Sequence, residues 1–132
     1  MSRRIIRVVA AVIEVKGEFL VSLRHPTRTR PSQWEFPGGK VEKGESETVA
    51  LIRELREELG VRAEVDTLVR RISHTYDDTT VEIAFYRTRI VQGDPRPLSM
   101  AELRWTPRAL LTSLDFLEAD REFVADLAEG RE

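Results

Sequence analysis

Apolar positions along this chain fall into short runs with a period near two and two longer stretches with a helical period, and their order predicts the elements. Residues 4–15 are nearly continuous in Val, Ile and Ala, as in a strand buried on both faces. Lys16-Gly17 breaks the run. Phe19, Val21 and Leu23 then alternate with Leu20, Ser22 and Arg24, so residues 19–24 are expected to return as the second arm of a hairpin. Pro26 and Pro31 keep residues 25–32 out of regular structure, and Arg28 and Arg30 make this loop basic. Trp34-Glu35-Phe36 reads as a short extended piece, and Gly38-Gly39 as a tight turn that a side chain would obstruct.

Beyond Ser46 the period changes. Thr48, Leu51, Ile52, Leu55 and Leu59 recur at helical spacing, which predicts a helix over residues 46–59 with Ser46 as its cap and Gly60 as its terminator. Residues 62–76 and 79–91 read as two extended segments around a turn at Asp77-Asp78, and Val81, Ile83 and Phe85 alternate with polar neighbours. After a connection at residues 92–98, residues 102–105 form a short strand, and Thr106-Pro107 has the form of a helix start for residues 108–111. Phe116, Ala119 or Asp120, Phe123, Val124 and Leu127 share one stripe, so a carboxy-terminal helix is expected over residues 116–128. The order predicts an α/β fold, a mixed sheet sandwiched between helices. No repeat or linker divides the 132 residues, so a single domain over residues 1–132 is expected.

Composition narrows the function. With 41% hydrophobic and 33% charged residues and no low-complexity tract, the chain has the profile of a soluble globular protein. A net charge of -2 gives no global field for nucleic acid or an anionic membrane, so affinity for phosphate has to be local. The absence of cysteine excludes a disulfide framework, a thiol nucleophile and a thiolate zinc site. Arg7 and Glu14 interrupt the apolar amino-terminal run, which is too short for a membrane span and lacks a small-residue cleavage site. A cytoplasmic location follows as the default expectation.

The chemistry concentrates in the predicted helix. Glu54, Glu57 and Glu58 stand at i, i+3 and i+4 and lie on one helical face, where like charges cost stability unless a cation sits between them. Mg2+ suits such a cluster because it prefers oxygen ligands and keeps positions open for water and substrate phosphates. A backbone carbonyl from Gly38-Gly39 is placed to complete the set, and Arg53 to reach back to Glu45 as a bidentate ion pair. His25 and His74 have no partner at metal or triad spacing, and no serine occupies a nucleophile elbow.

Gly39, Glu45, Arg53-Glu54-Leu55, Glu57-Glu58 and Gly60-Val61 reproduce without departure the signature of the Nudix hydrolases, a highly specific match. Flanked by Trp34-Glu35-Phe36-Pro37-Gly38-Gly39-Lys40, the chain is similar to the MutT-like branch, the nucleoside triphosphate pyrophosphohydrolases. The resemblance implies a Nudix-type α/β/α sandwich and Mg2+-dependent cleavage, with Mn2+ as a possible substitute, of a nucleoside diphosphate linked to another moiety. It implies Glu54, Glu57, Glu58 and the carbonyl of Gly38 as metal ligands, Glu45 and Arg53 as supporting residues, and Lys40 as a substrate contact. A later-loop carboxylate ligand falls by ungapped match on Ser99, with Glu102 the nearest acid. Arg24 has two readings, an arginine directed at phosphate or sugar and an exposed strand-end charge. Phe36 is expected in the core with one face toward a base pocket, Asp120 takes the position that reads the base edge, and Arg28 and Arg30 are expected as solvated loop residues.

The implied reaction is attack of a metal-activated water on a polyphosphate, yielding a nucleoside monophosphate and pyrophosphate. Candidate substrates are 8-oxo-dGTP, an oxidised purine nucleotide, or CTP and dCTP. Alternatives are ADP-ribose, a dinucleoside polyphosphate or capped RNA, and, in another class, a nucleotide-sensing module without catalysis. Expected partners are a small nucleotide and, for a homodimer rather than a monomer, a second copy; no nucleic-acid partner is expected.

Overall fold

The computed structural model describes residues 4–77 and 79–132. The first strand, β1, spans Arg4–Val12 and is followed by β2, Glu14–Val15, and β3, Glu18–Leu23. Only the inner half of β1 is buried on both faces; Arg4, Ile5 and Arg7 are exposed. The single strand expected over residues 4–15 breaks at Ile13, where the chain passes from one sheet to another. The hairpin at Lys16-Gly17 forms, with both residues at positive φ (51° and 79°), as a two-residue turn between twisted strands requires. It covers only the pairs Glu14↔Phe19 and Val15↔Glu18.

Short strands β4, Trp34–Glu35, and β5, Gly38–Lys40, precede helix α1, Glu47–Leu59. Strands β6, Arg62–Tyr76, β7, Thr79–Gln92, and β8, Glu102–Pro107, follow, and helix α2, Arg121–Ala128, comes last. Sheet order is β5-β1-β7-β6 in one sheet, where β1 is antiparallel to β5 and parallel to β7. In the second sheet β3 pairs with β2 and β4, and along its whole length with β8. Asp77 of the β6–β7 turn has φ 45°, and Asp78, the other half of the expected turn, lies outside the described residues.

Alternation along β1 builds the two hydrophobic layers. Val9, Ala11 and Ile13 pack with Leu51, Leu55 and Leu59 of α1, while Ala10 and Val12 face Phe85, Phe123 and Leu127 on the α2 side. This is the expected α/β/α sandwich. Ser46 caps α1, its hydroxyl accepting from the Val49 amide at 3.2 Å, and Gly60 ends it in the left-handed region at φ 71°. The buried face is Ala50, Leu51, Leu55 and Leu59. Thr48 and Ile52, expected on that face, are exposed, and Ala50 takes the buried side instead.

Two other expectations are corrected. The Phe116–Leu127 stripe is buried as expected, but residues 115–117 are extended: the Trp34 amide donates to the Asp115 carbonyl and the Leu117 amide to the Trp34 carbonyl. A 3-10 turn over Glu118–Asp120 then leads into α2, so the helix is shorter than residues 116–128. Thr106 belongs to β8 rather than capping a helix, and Arg108–Ser113 forms a 3-10 turn. No described helix is long and apolar enough to cross a membrane.

Candidate active site

The acidic helix is fixed to the loop before it through Arg53. Its Nε and Nη2 donate to the two Glu45 carboxylate oxygens at 2.6 and 2.9 Å, the bidentate pair expected from sequence. Nη2 also donates to the Lys40 carbonyl at 3.1 Å, and Nη1 to Glu54 at 2.9 Å and Glu57 at 3.2 Å. Hydrogen bonds from Arg53 and from the Glu42 amide hold Glu45 down to about 2. Glu45 is therefore a fixed anion whose role is to hold the arginine.

Gly38 and Gly39 are not in a tight turn, as expected, but in β5, paired with Ala10 and Val9 of β1. Close approach requires glycine at position 38, where a Cβ would fall 2.0 Å from the Val9 carbonyl oxygen; at Gly39 a Cβ would fall 2.3 Å from the Glu54 carboxyl carbon, so a side chain there would displace that carboxylate. Glu54 thus lies directly against the backbone of β5.

Between this junction and the segment that leads into α2, at Leu117, Ala119 and Asp120, runs a cleft of about 680 Å3. Glu54 and Glu58 line it, together with Gly38, Gly39, Glu35 and Lys40. Phe36, Tyr76, Thr79 and Asp120 continue its lining. Burial, with Glu54 and Glu35 nearby, pushes Glu58 up to about 7, against the smaller opposing effect of the nearby Ser99 hydroxyl. Burial likewise raises Glu54 against the pull of Arg53, and Glu35 against Arg24 and Arg28. Asp120 is pushed up to about 8, chiefly by burial and secondarily by the charge of Glu35. Carboxylates therefore follow one another along the cleft in poorly solvated surroundings, and a cation placed among Glu54 and Glu58 would reverse that cost.

The expected residues separate into two groups. Glu54, Glu58, Gly38, Lys40, Arg24, Phe36 and Asp120 meet in the cleft. Glu57 does not line it and turns to Arg53, with its side chain 57% exposed. Among the described residues no three acidic or histidine side chains stand together as a ready metal site. Glu102 lies outside the cleft, bound to Arg104 at 3.0 Å, while Ser99 is the later-loop residue at Glu58.

Arg24 is buried, not an exposed strand-end charge, and four of its five N–H donors are engaged: Nη1 with both Glu35 oxygens at 3.0 and 3.2 Å, Nε with the Thr29 carbonyl and Nη2 with the Thr29 hydroxyl. Phe36 is core, edge-on to Phe85 at 5.8 Å and beside Phe116 at 5.4 Å. Arg30, expected in solvent, is half-buried with its guanidinium 3.6 Å from the centre of the Tyr76 ring. The Tyr76 hydroxyl in turn accepts from the Ala119 amide at 2.8 Å. Glu35, Tyr76, Arg28 and Arg30 are among the cleft residues that sequence reasoning missed. Glu35, an acid between the apolar Trp34 and Phe36, was the one with a local signal.

A carboxylate-lined cleft beside a glycine strand and a capped acidic helix, inside an α/β/α sandwich, defines a class. The NUDIX domain family matches residues 3–127, and the chain belongs to the Nudix hydrolase family. Among its relatives, the putative 8-oxo-dGTP diphosphatase 2 of Mycobacterium tuberculosis is 38% identical over 125 residues, covering 92% of this chain and 86% of that protein. The CTP pyrophosphohydrolase of Escherichia coli is 50% identical over 66 residues, half of this chain (50%) and 49% of the relative. The solution structure of the E. coli ORF135 protein superposes with a TM-score of 0.82 at 30% identity, covering 98% of this chain and 92% of that one.

Proposed function

We propose that this Nudix hydrolase cleaves a nucleoside triphosphate to the monophosphate and pyrophosphate in a Mg2+-dependent reaction. The substrate is an oxidised purine nucleotide such as 8-oxo-dGTP or a cytidine nucleotide of the CTP or dCTP type. The observation that carries this reading is the position of Glu58, half-buried near Glu54 and Glu35 and pushed up to about 7, in a cleft that also holds Lys40 and Arg28. The names of two relatives, an 8-oxo-dGTP diphosphatase and a CTP pyrophosphohydrolase, support the substrate class.

The residues fit a hard divalent cation. Mg2+ is commonly held by one or two carboxylates with water and substrate phosphate filling the remaining positions. Glu54, Glu58 and the Gly38 carbonyl would hold it, and Glu57 would join by leaving Arg53. When bound, the ion lowers the pKa of a coordinated water and neutralises charge on the bridging oxygen.

The chain's own groups then divide the work. Lys40 and Arg28 supply positive charge to the phosphate tail. Arg24, engaged with Glu35 and Thr29, holds the 25–32 loop against the cleft rather than meeting phosphate. Phe36 and Tyr76 give the nucleoside apolar surface, and Asp120 and Arg30 give it polar partners of opposite kind. A pyrophosphate-release screen with Mg2+ over normal and oxidised nucleotides, ADP-ribose and diadenosine polyphosphates tests the proposal. Pyrophosphate from 8-oxo-dGTP or a cytidine triphosphate is the expected result, and its absence with every triphosphate refutes it.

A further inference from the structure

Glu47, in the first turn of α1, lies outside the cleft yet has more hydrogen bonds than the carboxylates that line it. It accepts from both terminal nitrogens of Arg71 at 2.6 Å, from the Tyr86 hydroxyl at 2.6 Å and from Arg7 at 3.3 Å. The donors stand on three adjacent strands: Arg7 on β1, Tyr86 on β7 and Arg71 on β6. The carboxylate is 13% exposed although both arginines are more than half exposed, so it sits beneath them against the sheet.

Helix geometry connects this clamp to the cleft. With 3.6 residues per turn, Glu54 stands roughly 20° to one side of Glu47 around the axis and Glu58 roughly 20° to the other. The apolar contacts of Ala50, Leu51, Leu55 and Leu59 hold the helix onto the sheet but are non-directional and tolerate a roll. Arg53 ties the helix to the β5 edge through Lys40. Glu47 ties it to the other three strands.

We propose that Glu47, pinned by Arg7, Arg71 and Tyr86, is a positioning residue that fixes the roll of α1 and so aims Glu54 and Glu58 into the cleft. The inference rests on the proposal that these two carboxylates serve the reaction. A side chain lies about 5–6 Å from its helix axis, so a roll of about 10° moves a carboxylate by about 1 Å. A misplacement of that size costs on the order of 100-fold in rate.

The test combines steady-state kinetics with a measurement that does not depend on turnover. Glu47→Ala is expected to lower kcat by about 10- to 100-fold per folded molecule while KM changes by no more than about threefold. Tyr86→Phe, which removes one hydrogen bond and little volume, gives a smaller fall in kcat and guards against failure of Glu47→Ala to fold. In Arg71→Ala, millimolar guanidinium restores part of the lost kcat, a recovery that general destabilisation does not produce. Amide hydrogen exchange over α1 accelerates in Glu47→Ala with or without substrate. Unchanged kcat per folded molecule, or a loss carried in KM, overturns the proposal, as does exchange over α1 identical to wild type. A wild-type protein that releases pyrophosphate from no triphosphate refutes the functional reading instead, and the exchange measurement then judges the clamp alone.

Discussion

Asp120 offers the sharpest test of the electrostatics of the cleft. The residue is 3% exposed, and burial, with the charge of Glu35 adding to it and that of Arg24 opposing it, pushes its carboxyl up to about 8. An unfolded aspartate titrates near 3.9, so between roughly pH 4 and 8 the unfolded chain has lost a proton that the folded chain keeps. Stability from this group is therefore complete below the unfolded pKa and is lost as pH rises toward the folded one. The slope approaches about 1.4 kcal/mol per pH unit, or roughly 3 kcal/mol between pH 5 and 7. For a protein of this size that corresponds to roughly 10 °C in Tm. Asp120→Asn keeps the shape and removes the proton. Urea unfolding of wild type and variant at pH 5, 6 and 7 should show the variant gaining stability relative to wild type at each step. Glu35 and Glu58, raised in the same direction, are present in both proteins and largely cancel in the difference. Parallel stability curves would refute the reasoning, because they would mean that Asp120 is ionised in the folded protein throughout. If the slope appears, Asp120 lines the cleft near pH 7 as a neutral carboxyl, with one donor and one acceptor.

Three further outcomes follow from the same geometry. Glu58→Gln should lower the rate of pyrophosphate release by two orders of magnitude or more, on the scale of a lost acid–base or metal-binding group, with no loss of Tm at pH 8 because burial already disfavours its charge. Gly39→Ala puts a methyl 2.3 Å from the Glu54 carboxyl carbon; kcat should fall by about 100-fold as Glu54 is driven aside, while urea stability changes little because the methyl meets the movable end of a side chain and not backbone. Arg24→Ala leaves the half-buried Glu35 without its partner and should cost about 1–3 kcal/mol by chemical denaturation, most of it recovered when Glu35→Gln is added, whereas an exposed Arg24 would give a near-neutral result.

The parts of this molecule that were legible in its sequence are those decided within a few residues of themselves. Ser46 and Gly60 bound α1 because a cap hydroxyl and a left-handed glycine act locally. The Glu45–Arg53 pair was legible for the same reason, both partners being anchored in one loop–helix unit. What could not be read depended on chain segments far apart. Gly38 and Gly39 look like a turn in isolation and prove to be strand because β1 pairs beside them. Trp34 diverts residues 115–117 from a helix that their own periodicity supports. Arg30 reads as a loop charge until β6 brings Tyr76 beneath it. Arg24 is the clearest case: nothing near it in sequence shows that Thr29 and Glu35 will engage its donors.

Arg53 explains why the three glutamates at i, i+3 and i+4 do not behave as one cluster. A guanidinium has five N–H donors, and the hydrogen bonds of Arg53 to Glu45, Lys40, Glu54 and Glu57 number five, so none is left over. Its single positive charge faces the negative charges of Glu45, Glu54 and Glu57, and its reach fixes which of them it satisfies fully. Glu45 receives two bonds and is held as an anion; Glu54 receives one and remains raised by burial. Glu58, which Arg53 does not reach, is raised to about 7. The compensation therefore fades away from Arg53 and into the cleft, and the carboxyls that Arg53 meets least, Glu54 and Glu58, line it together with Gly38, Gly39 and Lys40. A lysine at position 53 could not reproduce it, because an ammonium lacks the planar fork that serves Glu45 twice while still reaching Lys40 and Glu54.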